Sequence, residues 1–181
     1  MLVAVRFALT MLPVTALPVT ALLVTAACGS SGSPTTGPTA VAPVSSCSGG
    51  NGATGSISAQ INGVSWVAAC VKAATFFNGI VSLVGSDNLA NVANAQVIGI
   101  ATQASGPGTF PISLANGANG QLTIGGTQVW EANAVLGGSG TIALTILTAT
   151  GTSGTFSFNL IAVPPAGGTK TITNGAFNLT F

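Results

Sequence analysis

Ionisable side chains are scarce in this 181-residue chain, which contains no histidine and no tyrosine. Its full charges are limited to Arg6, Lys72, Asp87, Glu131 and Lys170. A nucleic-acid-binding protein needs a basic face that neutralises phosphates, so the composition argues against a nucleic-acid partner. With no histidine and no CxxC spacing, we expect neither a metal site nor a cofactor.

Catalysis needs an acid, a base, a nucleophile or a metal, and few candidates are present. The carboxylates Asp87 and Glu131 fall on separate predicted elements, so a paired-carboxylate hydrolase requires the fold to bring them together. Serine and threonine are plentiful, but only Lys72 or Lys170 is available to activate them. The sequence therefore predicts a protein that is not an enzyme.

Residues 1–27 are interpreted as an export signal. Arg6 precedes a long apolar run that ends in small residues, and this order is typical of a secretory signal peptide. A retained transmembrane helix is the alternative, because the run is nearly long enough to span a bilayer. Pro13 and Pro18 weaken that alternative, since each removes a helix hydrogen bond.

The end of this run, Val24-Thr25-Ala26-Ala27-Cys28, resembles the signal box of bacterial lipoproteins, in which the cysteine becomes the first mature residue and is acylated. Thr25 departs from the leucine that is commoner there. The resemblance implies an exported protein held on the cell envelope by acyl chains on Cys28, and two or three chains anchor a protein stably. Gly29 follows the cysteine where an Asp could stand, and by analogy with sorting in diderm bacteria it allows the outer membrane as the destination in such a cell. Plain secretion is the other alternative.

The remaining cysteines form an even pair once Cys28 is assigned to the lipid. In an oxidising compartment Cys47 and Cys70 are then expected to form a disulfide. The alternative is two inert thiols, with Cys70 buried and Cys47 in a linker.

Residues 28–52 are rich in Gly, Ser, Thr and Pro without periodicity, which predicts a flexible tether. The folded body is expected over residues 53–181. Around Asn62-Gly63, apolar residues alternate on both sides, and this is a strong signal for a hairpin. Asn78-Gly79 predicts a second hairpin, and the other Asn-Gly pairs are also interpreted as turns.

Further strands are predicted at 95–102, 109–114, 121–124, 127–134, 141–148, 154–163 and 170–181. Short strands with frequent turns indicate an all-β fold, either an antiparallel β-sandwich or a small closed barrel of roughly 8–11 strands. A helical turn capped by Asp87 is predicted over 86–95. A pattern of glycine, small residue and phenylalanine recurs at Gly108, Gly154 and Gly175, and we interpret it as a glycine turn that precedes an inward-facing aromatic.

The segments SISAQINGVSWVAA, GTFPI and GTFSFNL…TITNGAFNLTF resemble a family of uncharacterised bacterial lipoproteins. Its members open with a strand followed by N-G-x-x-W, and close with G-T-F-x-F and N-G-x-F. The resemblance covers nearly the whole body and implies an extracytoplasmic β-domain, without an activity or catalytic residues.

Trp66 and Trp130 are the weak candidates for a ligand site, because exposed aromatic rings stack on sugars. Each alternates with apolar residues on the same strand face, however, and this favours core packing. The alternating Phe177, Leu179 and Phe181 also resemble the closing strand of an outer-membrane β-barrel, although such a barrel needs longer, lipid-facing strands.

The sequence thus predicts a lipid-anchored extracytoplasmic β-domain, either an envelope-structural or a protein-binding module. A glycan- or small-ligand-binding lipoprotein is the alternative. An exposed sheet edge would favour a protein partner, and a concave pocket with convergent polar groups would favour a small ligand.

Overall fold

Eleven strands form the body of the protein, and the residues described contain no helix. The computed structural model describes residues 42–47, 50–88 and 94–181. Cys28 and the expected signal peptide lie outside these ranges. The strands are β1 Thr54–Ile61, β2 Val64–Val67, β3 Cys70–Phe77, β4 Ile80–Ser86, β5 Gln96–Gln103, β6 Gly108–Pro111, β7 Asn119–Ile124, β8 Gln128–Ala132, β9 Ser139–Thr148, β10 Gly151–Val163 and β11 Thr169–Thr180.

All eleven strands belong to one curled sheet. Its order is β2-β1-β11-β10-β8-β7-β5-β4-β3, and β9 pairs with both β10 and β6. Every pairing between strands is antiparallel. The predicted all-β antiparallel fold is therefore confirmed, as one continuous sheet.

A short segment before β1 connects the two sides of the curl. This segment is Val44–Cys47, and we call it the strap. Its first residue, Val44, exchanges two main-chain hydrogen bonds with Gly55 of β1. The Cys47 N–H donates to the Val71 carbonyl of β3 at 2.7 Å, and the Val71 N–H donates to the Ser45 carbonyl at 3.0 Å. The strap was predicted to be part of the tether. The strap has no periodicity that would predict a strand, yet it forms hydrogen bonds with unpaired main-chain groups of β1 and β3.

The core lies on the concave side of the sheet, where alternate residues of each strand point. Large side chains that are fully buried there include Ile57, Leu83, Ile98, Leu122, Ile142, Leu160 and Ile172. Phe177 and Leu179 of β11 are also buried, so their alternation belongs to core packing.

Phenylalanine rings in this core pack on glycines of the neighbouring strand. Phe156 pairs with Gly175, and Phe177 pairs with Gly154. A Cβ atom on Gly175 would lie 2.6 Å from the Phe156 ring, and one on Gly154 would lie 2.8 Å from Phe177 Cζ. The interpretation of these glycines as turns is therefore wrong. Gly154 and Gly175 lie inside strands because a side chain there would collide with a main-chain carbonyl, that of Ala143 or Phe156, as well as with the phenylalanine ring.

The two predicted hairpins are confirmed. Asn62 and Gly63 have φ values of 49° and 80°, and Asn78 and Gly79 have 50° and 75°, the left-handed conformation that two-residue hairpin turns require. Asn119-Gly120 and Asn174-Gly175 lie within β7 and β11, although Asn174 shares the left-handed conformation, with a φ of 51°.

The other predicted strands are present with shifted ends. Strand β6 is shorter than expected, because it ends at Pro111. Most of the helical turn predicted over 86–95 falls outside the described residues. Asp87 does not cap a helix in the part described: its Oδ1 accepts a hydrogen bond from the Gln96 N–H at 2.7 Å.

Candidate functional site

A groove of about 430 Å³ runs beside β2, at one end of the strand order. We call it the edge groove. Every residue of β2 contributes to its wall, and other lining residues come from the position after β4, the start of β5, the end of β7 and the start of β11. The lining residues are Ile61, Asn62, Val64, Ser65, Trp66, Val67, Asp87, Gln96, Ile124 and Lys170.

The main chain of β2 faces this groove with unpaired groups. The tight turn makes Ile61 and Val64 a hydrogen-bonded pair, so the N–H and C=O of Val64 and Trp66 point toward β1. Ala68 continues this pattern, since its N–H donates to the Ile57 carbonyl at 2.9 Å. Ser65 and Val67 therefore point away from β1. Among the described residues, the main chains of these two have no hydrogen-bond partner.

The groove carries opposite charges near the two ends of β2. Thr171 binds the turn that precedes β2, because its N–H donates to Asn62 Oδ1 at 2.8 Å, and this places Lys170 at the Val64 end. Ala69, just past the other end of β2, donates its N–H to the Ser86 carbonyl at 2.7 Å. Asp87 follows Ser86 and is therefore near the Val67 end.

The two tryptophans are both buried, with 5% of Trp66 and 3% of Trp130 exposed. This confirms the prediction of core packing and leaves neither ring free as a platform for a sugar. Trp130 Nε1 donates to the Gly167 carbonyl at 3.1 Å, and the Lys170 Nζ lies 5.1 Å from the centre of its ring. Trp66 Nε1 is the only buried side-chain polar atom of the described residues without a hydrogen-bond partner.

The predicted disulfide is present between Cys47 and Cys70. It fixes the end of the strap to the first residue of β3, next to the Val71 hydrogen bonds. Cys28, the predicted lipidation site, lies outside the described residues, so its acylation stays a prediction.

The two carboxylates of the body line different grooves. Asp87 faces the edge groove, whereas Glu131 accepts a hydrogen bond from Gln121 Nε2 at 3.3 Å on another face of the sheet. The fold therefore does not bring them together as an acid–base pair. Lys72 lines a further groove, of about 630 Å³, beside Asn51.

Sequence reasoning did not find the edge groove. Its lining residues come from positions as distant as Ile61 and Lys170, and only the register of β1 against β11 brings them together. One signal was available in the sequence. The segment Val64–Val67, which follows Asn62-Gly63, contains no charge and no proline, two of the usual protections of an edge.

No helix in the described part of the chain is long and apolar enough to cross a membrane. Within the same residues, no cluster of three or more His, Cys, Asp or Glu side chains comes together as a metal-ligand set.

The comparisons with known proteins give one finding. A family model described as "Domain of unknown function (DUF6252)" matches residues 53–179, which is the sheet without the strap. No curated protein and no solved structure matches the chain significantly.

Proposed function

The chain belongs to the DUF6252 family, whose description assigns no role, and from its own residues we propose that it is a lipid-anchored extracytoplasmic protein-binding module. It binds an extended segment of an envelope protein at the free edge of β2. The protein works by binding and not by catalysis.

The observation that carries this proposal is the unpaired edge of β2. Ser65 and Val67 present two N–H and two C=O groups to the groove, and an added strand would satisfy them. Both valines of β2 are unusually exposed for apolar side chains, Val64 by 70% and Val67 by 46%. Such an edge is a template for pairing with another chain.

The hydrogen-bonded order also ends at β3 and at β6, and each of these two strands is protected over part of its length. The edge of β3 is covered at Val71 by the strap and at Ala74 by the Asn51 side chain. Strand β6 ends in Pro111, which has no N–H to offer a partner. Among the described residues, the edge of β2 has neither device, so it is the strand edge that this part of the chain leaves available.

Two features support the extracytoplasmic location. The segment that ends at Cys28 resembles a lipoprotein signal box, which implies anchoring by acyl chains. The Cys47–Cys70 disulfide fits an oxidising compartment, because such bonds are rare in the cytosol.

A small polar ligand is the second candidate for the same groove, which is concave and combines apolar with charged walls. The burial of Trp66 and Trp130 makes this candidate weaker for sugars, since stacking needs an exposed ring face. Titration of the full-length protein with soluble glycans, followed by tryptophan fluorescence, tests it: no change is expected.

Site-specific photo-crosslinking in the bacterium tests the proposed function. A photoreactive residue at Val67 is expected to give a crosslink to one envelope protein, identified by mass spectrometry. The matched control is the same residue at Leu114, which is 76% exposed and outside the groove. Identical crosslinks from both positions, or none from Val67, would refute binding at β2.

The anchor is tested separately. Labelling with palmitate should mark the wild-type protein and not Cys28→Ala, and the mature N-terminus should be Cys28. An unlabelled wild-type protein would remove the anchor from the proposal and leave the binding edge unaffected.

A further inference from the structure

We infer that the edge groove selects an extended peptide of defined polarity, which runs antiparallel to β2 with a basic residue toward its N-terminus and an acidic residue toward its C-terminus. This inference rests on the proposed function, and it adds the class of sequence and the direction of the bound segment. The observation that supports it is the position of Lys170 and Asp87 near opposite ends of the unpaired edge of β2.

The direction follows from the pairing rules of the sheet. Every pairing between two of the eleven described strands is antiparallel, whereas the strap bridges β3 in the parallel direction at Ser46 and Val71. Antiparallel ladders are slightly more stable per residue than parallel ones, and this favours the antiparallel direction for a strand added to β2. Strand β2 runs from Val64 to Val67. An added antiparallel strand therefore begins beside Val67 and ends beside Val64.

The charges then fix the order of residues in the peptide. The segment begins near Asp87 and ends near Lys170, so a basic residue is favoured first and an acidic residue last. Four strand residues span about 13 Å, and long side chains at the peptide ends extend this reach. The two charges in the peptide are accordingly expected four to six residues apart.

Both charged groups are held in place by the protein. Asp87 Oδ1 accepts the Gln96 N–H at 2.7 Å, and the Lys170 ammonium lies over the Trp130 ring. Neither group has a salt-bridge partner among the described residues. Each therefore keeps its charge available for a peptide side chain at the groove.

Four hexapeptides with blocked ends test the inference. The first is Lys-Thr-Val-Thr-Val-Glu, the second has Glu first and Lys last, the third has Gln at both ends, and the fourth is the first with N-methylated backbone amides at alternate positions. Binding to the full-length protein in mild detergent is followed by tryptophan fluorescence, because one of the two tryptophans lines the groove and the other underlies Lys170.

The Lys-first peptide is expected to bind most tightly. An exposed ion pair contributes about 1.5- to 5-fold in affinity, so two pairs should favour this peptide over the Gln peptide by roughly 2- to 25-fold. The Glu-first peptide should bind more weakly than the Gln peptide. In the double variant Asp87→Lys/Lys170→Glu this preference should reverse, and thermal unfolding of the variant checks that it is folded.

Backbone pairing is tested by a matched pair of variants. Ser65→Pro removes an N–H that faces the groove and should weaken all peptides, whereas Ser65→Ala keeps that N–H and should leave binding unchanged. If Ser65→Pro fails to fold, the N-methylated peptide makes the same test, because it keeps the charges and loses donors.

The outcomes separate the two proposals. Equal binding of the three unmethylated peptides, with loss in Ser65→Pro, would overturn the charge order and keep β2 as the binding edge. Binding that survives both Ser65→Pro and N-methylation, or no binding of any peptide at millimolar concentration, would overturn the edge itself.

Discussion

Removal of the Cys47–Cys70 disulfide should cost this domain a large part of its stability. The bond closes a loop with a sequence separation of 23. In the chain-entropy relation, cross-linking a loop of that length stabilises the folded state by about 3.4 kcal/mol at 25 °C. At roughly 3–5 °C per kcal/mol for a domain of this size, Cys47→Ala/Cys70→Ala should unfold about 10–17 °C lower than the wild type.

The loss should begin at the strap. Its hydrogen bonds to Gly55 and Val71 are main-chain bonds at the margin of the sheet, and the disulfide is the only covalent tie between the strap and β3 in the described residues. In the double variant, the Gly55 and Val71 amides, both of which donate to strap carbonyls, should exchange with solvent faster. The Leu122 amide, in the middle of the sheet, should lose protection only with global unfolding.

Urea unfolding and hydrogen exchange of the wild-type and variant proteins measure both effects. Cys47→Ser alone is the control, since it breaks the same cross-link and keeps the buried sulfur of Cys70. It should lose nearly as much stability as the double variant. A loss below about 1 kcal/mol in either variant would show that the strap holds without its cross-link, and the loop-entropy reasoning would then be wrong.

Three further predictions concern the core and the groove. Gly175→Ala places a methyl group against the Phe156 ring and should lower the free energy of unfolding, measured with urea, by about 1–3 kcal/mol. The control Gly99→Ala should be nearly neutral, because the nearest atom to its methyl group would be 3.8 Å away. Equal losses of stability in the two variants would contradict the packing of the ring on Gly175. Trp130→Phe should cost about 0.5–2 kcal/mol more than Trp66→Phe in urea unfolding. The reason is that Trp130 loses a hydrogen bond and the phenyl ring keeps only a weaker cation–π contact with Lys170, while the Trp66 N–H has no partner to lose. Similar unfolding free energies of the two variants would argue against this difference. Lys170→Gln removes the cation–π contact with Trp130 and should lower the free energy of unfolding by about 0.5–1 kcal/mol. An unchanged thermal unfolding temperature would show that this contact is not stabilising.

The hairpins could be predicted from the sequence because their cause is local. Asn62-Gly63 and Asn78-Gly79 adopt the positive φ values that tight turns need, and the flanking residues alternate. The same dipeptide was misleading at Asn119-Gly120 and Asn174-Gly175. At these positions glycine is needed for the space that its missing side chain leaves to a phenylalanine on another strand, and a local pattern does not show this.

The strap and the edge groove could not be predicted, for a related reason. The strap has no periodicity, and its partners Gly55 and Val71 can be identified only from the arrangement of β1 and β3 in the folded sheet. The groove depends on a register that places Lys170 beside the turn before β2. The pairing of Cys47 with Cys70, in contrast, followed from the parity of the cysteines once Cys28 was assigned to the lipid.

The scarcity of charge gains its meaning from position. The small number of charges in the sequence argues against partners such as nucleic acids, and it does so whatever the positions of those charges. In the fold, Asp87 and Lys170 face one groove beside the unprotected edge of β2, while Lys72 and Glu131 lie at other grooves. Because the surface has so few other charges, few other sites attract the charged ends of a peptide. Asp87 and Lys170 can therefore orient a bound strand with little interference from neighbouring charges. Hydrogen bonds to Ser65 and Val67 would then supply affinity that is independent of sequence, and the two charges would supply the selection.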